Sequence, residues 1–159
     1  MDSLVEIYLD RAENELLAAG ALKNISEEAK LKEALDIPGA TSFYSATIGH
    51  AYYAIFYAAK ALLLTKGIKT AAPEVHKKTY DAFEKTFVKS GALDVALLRT
   101  YTTLAIRADE LLGIFKEEKW KRGHFTYSTI PQANKEPAAD SLRRAKTFVA
   151  HIGAVARRR

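Results

Sequence analysis

The densest group of side chains able to do chemistry is K-W-K-R-G-H-F-T-Y, residues 119 to 127. Arg122 and Lys121 could hold phosphate, His124 could move a proton near neutral pH, and Trp120, Phe125 or Tyr127 could stack on a base. Metal-independent RNA cleavage needs these parts, because attack by a 2′-hydroxyl calls for a base, an acid and charge stabilisation but no metal. The plainer reading is as concrete: the three rings pin a loop to the surrounding helices and Arg122 pairs with an acidic neighbour. The residues alone leave both open.

Other chemistries find no support. The chain has no cysteine, which removes thiol catalysis, thiolate metal sites and disulfides, and which agrees with a reducing cytoplasm. It has no Gly-rich phosphate loop, no Gly-x-Ser-x-Gly elbow and no His-Glu-x-x-His. His50, His76, His124 and His151 fall on different elements, so no metal ligand set and no cofactor are expected. Asp109-Glu110 and Glu117-Glu118 are neighbours that point different ways around a helix and read as solvated.

The element that must position any such site is S-F-Y-S-A-T-I-G-H-A-Y-Y-A-I-F-Y-A-A-K-A-L-L-L-T-K, Ser42 to Lys66. From Ala51 to Leu64 its only charged residue is Lys60. A helix apolar nearly all round must be covered on both sides, so this stretch is expected at the centre of the molecule. Ile48, Ala51, Tyr52, Ile55, Ala59 and Leu62 share one side. Tyr53, Ala54, Tyr57, Ala61 and Leu64 share the other, with Tyr53 and Tyr57 expected in the core or at an interface between copies.

Before it, Asp2 or Ser3 can cap a helix whose apolar stripe reads Leu4, Ile7, Tyr8, Ala12, Leu16 and Ala19, with Asp10, Arg11, Glu13 and Glu15 facing out. Ser26 opens a continuation or a short second helix to about Leu35, stopped by Asp36-Ile37-Pro38-Gly39. After it, Lys66-Gly67 reads as a stop and Pro73 as the first turn of a helix carrying Val75, Tyr80, Phe83, Phe87 and Val88, ended by Ser90-Gly91. Asp94 caps a helix that keeps its period through Leu97, Tyr101, Leu104, Ala105 and Ala108 to about Lys119, with Gly113 as a kink. Trp120 to Pro137 reads as a long loop. A last helix buries Ala138, Leu142, Ala145, Phe148, Val149, Ile152 and Val155, and Arg157 to Arg159 are expected to fray.

The 159 residues therefore predict a single domain, 1–159, an all-α up-and-down helical bundle of four to six helices. The N-terminus lacks the pattern of a signal peptide and no stretch spans a bilayer, which predicts a soluble cytoplasmic protein without membrane contact. The net charge of +5 is uneven: residues 1 to 36 hold nine acidic and four basic side chains, and the remainder carries a basic excess. That asymmetry suits either a surface that meets phosphates or an ordinary solvated exterior.

Taken with the loop, Ser45-Ala46-Thr47-Ile48-Gly49-His50-Ala51-Tyr52-Tyr53-Ala54-Ile55-Phe56-Tyr57-Ala58-Ala59-Lys60-Ala61-Leu62-Leu63 resembles the HEPN superfamily, small helical domains named for nucleotide binding in higher eukaryotes and prokaryotes. The likeness continues through Gly67, His76 and Phe87 to Gly91, through Arg122 and Tyr127, and into the helix over Ala145 to Ile152. It implies a helical bundle, a homodimer, and pairing with a minimal nucleotidyltransferase in a system of toxin–antitoxin type. Many members are ribonucleases whose site is an Arg followed four to six residues later by His. In this chain the fifth position after Arg122 is Tyr127, Thr126 replaces an Asp, and His50 stands where compact members carry Arg. The resemblance thus points to Arg122, Tyr127 and Lys121 as a nucleotide or RNA site. His124 and His50 are its candidate acid and base if the chain is a ribonuclease, and a non-catalytic dimerisation scaffold is the third reading.

Overall fold

The computed structural model describes residues 2–115 and 135–158. Among them the chain is all-α: α1 (Ser3–Glu27), α2 (Ala29–Ala34), α3 (Tyr44–Leu64), α4 (Val75–Phe83), α5 (Val95–Leu112) and α6 (Lys135–Arg157). A π-helical turn, Glu84–Val88, extends α4.

The apolar helix α3 is the centre of the bundle, in contact with α1, α4, α5 and α6. Ala51, Ala54, Ala58, Ala59 and Ala61 are wholly buried, and these small side chains let the neighbouring helices approach on several sides. Tyr52, Ile55, Leu62 and Leu63 fill the space between. Phe83 and Phe87 enter from α4 and its extension, Tyr101 and Leu104 from α5, Phe148 and Ile152 from α6. Rings of Tyr101, Phe83 and Phe148 meet at centroid separations of 5.4 to 5.9 Å, within the range in which aromatic edges and faces attract.

Helix ends follow local chemistry. Asp2, not Ser3, caps α1, its carboxylate accepting the Leu4 N–H at 2.8 Å, and Asp94 accepts from Ala96 in the same way. At the end of α3, Gly67 takes φ 72°. Its N–H reaches the Leu64 carbonyl while that of Ile68 reaches Leu63, so the paired bonds of a Schellman turn satisfy two carbonyls that the helix leaves open. Ser26 lies within α1, where its hydroxyl donates to the Leu22 carbonyl and accepts the Phe43 N–H, both at 2.7 Å; it ties α3 to α1 and does not open a helix.

Several expectations are corrected. The buried stripe of α1 is Val5, Leu9, Ala12, Leu16 and Ala19, whereas Ile7 is 47% exposed. Its first turns carry apolar residues on two faces, and packing against α3 selects one. Helix α4 opens at Val75, two residues after Pro73. Helix α5 ends at Leu112, because Gly113 adopts φ 61° and terminates it where a kink was expected. Helix α6 spans Lys135–Arg157, so residues 135 to 137 are helical where the sequence predicted a loop; Pro137 is tolerated because the N–H it lacks has no partner in a first turn. Arg157 is helical and lies 3.6 Å from Glu6.

Candidate functional site

Helices α1 and α3 meet along an edge that keeps polar groups at the surface. On α3, His50, Tyr53 and Tyr57 recur at three- and four-residue spacing and so share a face. On α1, Tyr8, Arg11 and Glu15 do the same. The helices lie side by side, so the two rows interleave. His50 Nδ1 is 2.5 Å from Glu15 Oε2, with both side chains partly exposed. Tyr8 stacks on Tyr57 at 6.0 Å, and the Arg11 guanidinium lies 5.6 and 5.7 Å from those two rings. Tyr53 stands between, 6.3 Å from Tyr57; burial, then Tyr57 and the Glu15 carboxylate, raise its phenol above the ordinary value.

This arrangement can orient an imidazole. A carboxylate on one ring nitrogen fixes the tautomer and leaves the other nitrogen to exchange a proton with a third group. The flanking half-buried tyrosines offer ring faces and hydroxyls, and Arg11 offers a positive charge beside them.

A second histidine, His76, lies 5.7 Å from the Tyr53 ring. The Tyr52 hydroxyl is 2.8 Å from His76 Nδ1, and Phe56 lies 4.4 Å from the imidazole. Burial, then the charge of Lys60, holds His76 below the ordinary imidazole value. The neutral ring accepts the hydroxyl proton and thereby satisfies an otherwise buried phenol.

Phe115 is anchored in the same region. Its N–H donates to Asp109 Oδ1 at 2.7 Å, and its ring is 6.3 Å from His76 and 6.5 Å from Tyr52.

Of the residues singled out in the sequence, His50 lies on the α1–α3 edge paired with Glu15, and Tyr53 and Tyr57 lie beside it, packed against the core from the surface side. Lys121, Arg122, His124 and Tyr127 lie outside the described residues, as do Trp120, Phe125 and Glu117-Glu118. Two acidic residues differ from the expected solvated side chains. Glu15 does not face solvent alone but holds His50, and Asp109 is not solvated but 5% exposed. The signal for Asp109 was available, since it follows Ala105 by four residues and Tyr101 by eight and so continues the buried stripe of α5. A third feature, Asp140 receiving Arg107 at 2.8 Å, Arg144 at 2.9 Å and also Arg143, joins α5 to α6 and had no signature beyond charge. Burial alone would raise the Asp140 carboxyl, but Arg107 and then Arg144 outweigh it and hold it below the ordinary range.

Among the described residues no group of three or more His, Asp or Glu side chains could hold a metal ion, and no helix is long and apolar enough to cross a membrane. No family model matches the chain. Over 75 residues it is 39% identical to a Methanocaldococcus jannaschii protein named "Putative toxin". The matched segment is 47% of this chain and 49% of the relative, so the chain spans about half the length of the curated protein that it matches. It is an all-α helical bundle with a relative named as a toxin.

Proposed function

We propose that this chain is a HEPN-like module of a toxin–antitoxin type system that binds RNA or nucleotide along the α1–α3 edge and the basic segment 119–127. The observation that carries the reading is the His50–Glu15 pair at 2.5 Å beside the half-buried rings of Tyr53 and Tyr57. Such an edge offers stacking surfaces, hydroxyls and an oriented imidazole to a nucleic acid. Arg122 and Lys121 would supply phosphate contacts and Tyr127 a further ring. The relative named as a toxin supports a toxin–antitoxin type setting; within that proposal a nucleotidyltransferase would be the antitoxin partner and the chain would act as a homodimer.

The same pair favours a second reading, a metal-independent ribonuclease. Glu15 would orient His50, which takes the proton of a 2′-hydroxyl as its oxygen attacks the adjacent phosphorus. His124 would return a proton to the departing 5′-oxygen, leaving a 2′,3′-cyclic phosphate, with Arg122 on the phosphate.

The test is incubation of the purified protein with mixed single-stranded RNA in chelator, beside Arg122→Ala and a His50→Ala/His124→Ala double variant, scoring cleavage and retention. Retention lost in Arg122→Ala supports the binding module. Cleavage lost in both variants supports the ribonuclease. Neither retention nor cleavage by the wild type would refute the nucleic-acid role.

A further inference from the structure

Lys60 is the one charged side chain in the apolar stretch of the central helix, ten residues and so roughly 15 Å along α3 from His50. It is half-buried, and among the described residues no carboxylate lies within ion-pair distance of it. Its ammonium donates to the Thr70 carbonyl at 3.1 Å and stands 5.2 Å from the ring of Tyr8 and 5.5 Å from that of Phe56. One carbonyl dipole and two ring faces compensate a partly desolvated ammonium only in part. Other cations lie near it. Lys69 lines the same cavity, and Arg11 stands 5.6 Å from the same Tyr8 ring.

The cavity measures about 170 Å³ and lies between the first turns of α1 and the connector that follows α3. Lys60, Lys69 and Tyr8 line its polar side, and Leu4, Leu64 and Ile68 form an apolar wall. Elsewhere in the fold clustered cations have a carboxylate partner, as Arg107, Arg143 and Arg144 have in Asp140. Here two lysines face a small partly apolar space with no counter-charge among the described residues.

We propose that this cavity is an anion site for a small phosphate monoester, the phosphate held by Lys60 and Lys69 and the organic group resting on Leu4, Leu64 and Ile68. A dianionic head supplies the missing counter-charge and accepts the ammonium protons that Thr70 does not take. An apolar substituent gains by covering the leucine and isoleucine wall. The cavity shares Tyr8 with the α1–α3 edge but lies toward the far end of α3 from His50, and the titration below uses no RNA, so its outcome is distinct from that of the RNA assay.

The experiment is calorimetric titration with phenyl phosphate, inorganic phosphate and phenol, on the wild type, Lys60→Met and Lys69→Met. Phenyl phosphate is expected to bind the wild type more tightly than either fragment, with affinity falling at least about tenfold in Lys60→Met. Circular dichroism monitors folding, and Lys69→Met, on the exposed connector, keeps the test decisive should Lys60→Met unfold. No binding by the wild type at millimolar concentration, or unchanged affinity in a folded Lys60→Met or Lys69→Met, would overturn the proposal. Equal affinity for inorganic phosphate would overturn the ester, and equal affinity for phenol would overturn the anion site.

Discussion

His50 Nδ1 and Glu15 Oε2 lie 2.5 Å apart although 35 residues separate them in the chain. Each sits on the border between buried and exposed faces of its helix, so the pair joins α1 to α3 without being sealed from water. A partly exposed pair of this kind contributes little to stability, under about 1 kcal/mol. Glu15→Gln is therefore expected to leave the urea midpoint almost unchanged while lowering RNA retention or cleavage, because the amide no longer fixes the imidazole. A large loss of stability with intact RNA activity would assign the pair a purely structural role.

The Tyr52–His76 bond predicts a pH dependence of the opposite kind. Burial and then Lys60 depress the imidazole in the folded state, whereas in the unfolded chain it titrates near its ordinary value of about 6.5. The unfolded state thus binds more protons below that value. The contribution is fully present above about pH 6.5 and is lost as pH falls from there through the folded value. Urea titrations at a series of pH values from 7 downward should show the wild type losing more stability than His76→Asn. Parallel curves for the two would refute the assignment.

Asp109 gives a third expectation. Its carboxylate accepts the N–H of a residue that is only 3% exposed. Asp109→Ala leaves that donor buried without its acceptor, at a cost of about 1–3 kcal/mol. Asp109→Asn retains an acceptor and should cost less. Chemical denaturation of both variants checks the order, and equal losses would mean that the charge matters more than the hydrogen bond.

Tyr101 is wholly buried, and among the described residues its hydroxyl has no hydrogen-bond partner. Removing an unsatisfied polar atom while keeping the ring should be neutral or stabilising by about 1 kcal/mol. Tyr101→Phe is accordingly expected to melt at or above the wild-type temperature, and Tyr101→Ala well below it, by about 3–5 kcal/mol, because the ring fills the core between α4 and α6. A marked drop in Tyr101→Phe would show that the hydroxyl is bonded in solution.

What the sequence determined by itself is local. An apolar run of alanines and rings can only be a central helix, Asp2 and Asp94 can cap because their side chains reach back to the N–H groups of the first turn, and Gly67 can end α3 because a glycine has no Cβ to clash at positive φ. These follow from one helical turn of chain and need no knowledge of the partner. The tertiary structure decided everything that depends on which face meets which. The first turns of α1 carry apolar residues on two sides. Contact with α3 sends Val5 and Leu9 inward, which turns Tyr8 onto Tyr57 and brings Glu15 to His50. Burial of Asp109 and the isolation of Lys60 from any described carboxylate arise likewise from elements distant in the chain. A helical period specifies the angle between a helix's own residues, but not the rotation of one helix against another, and it is this rotation that assembled the α1–α3 edge.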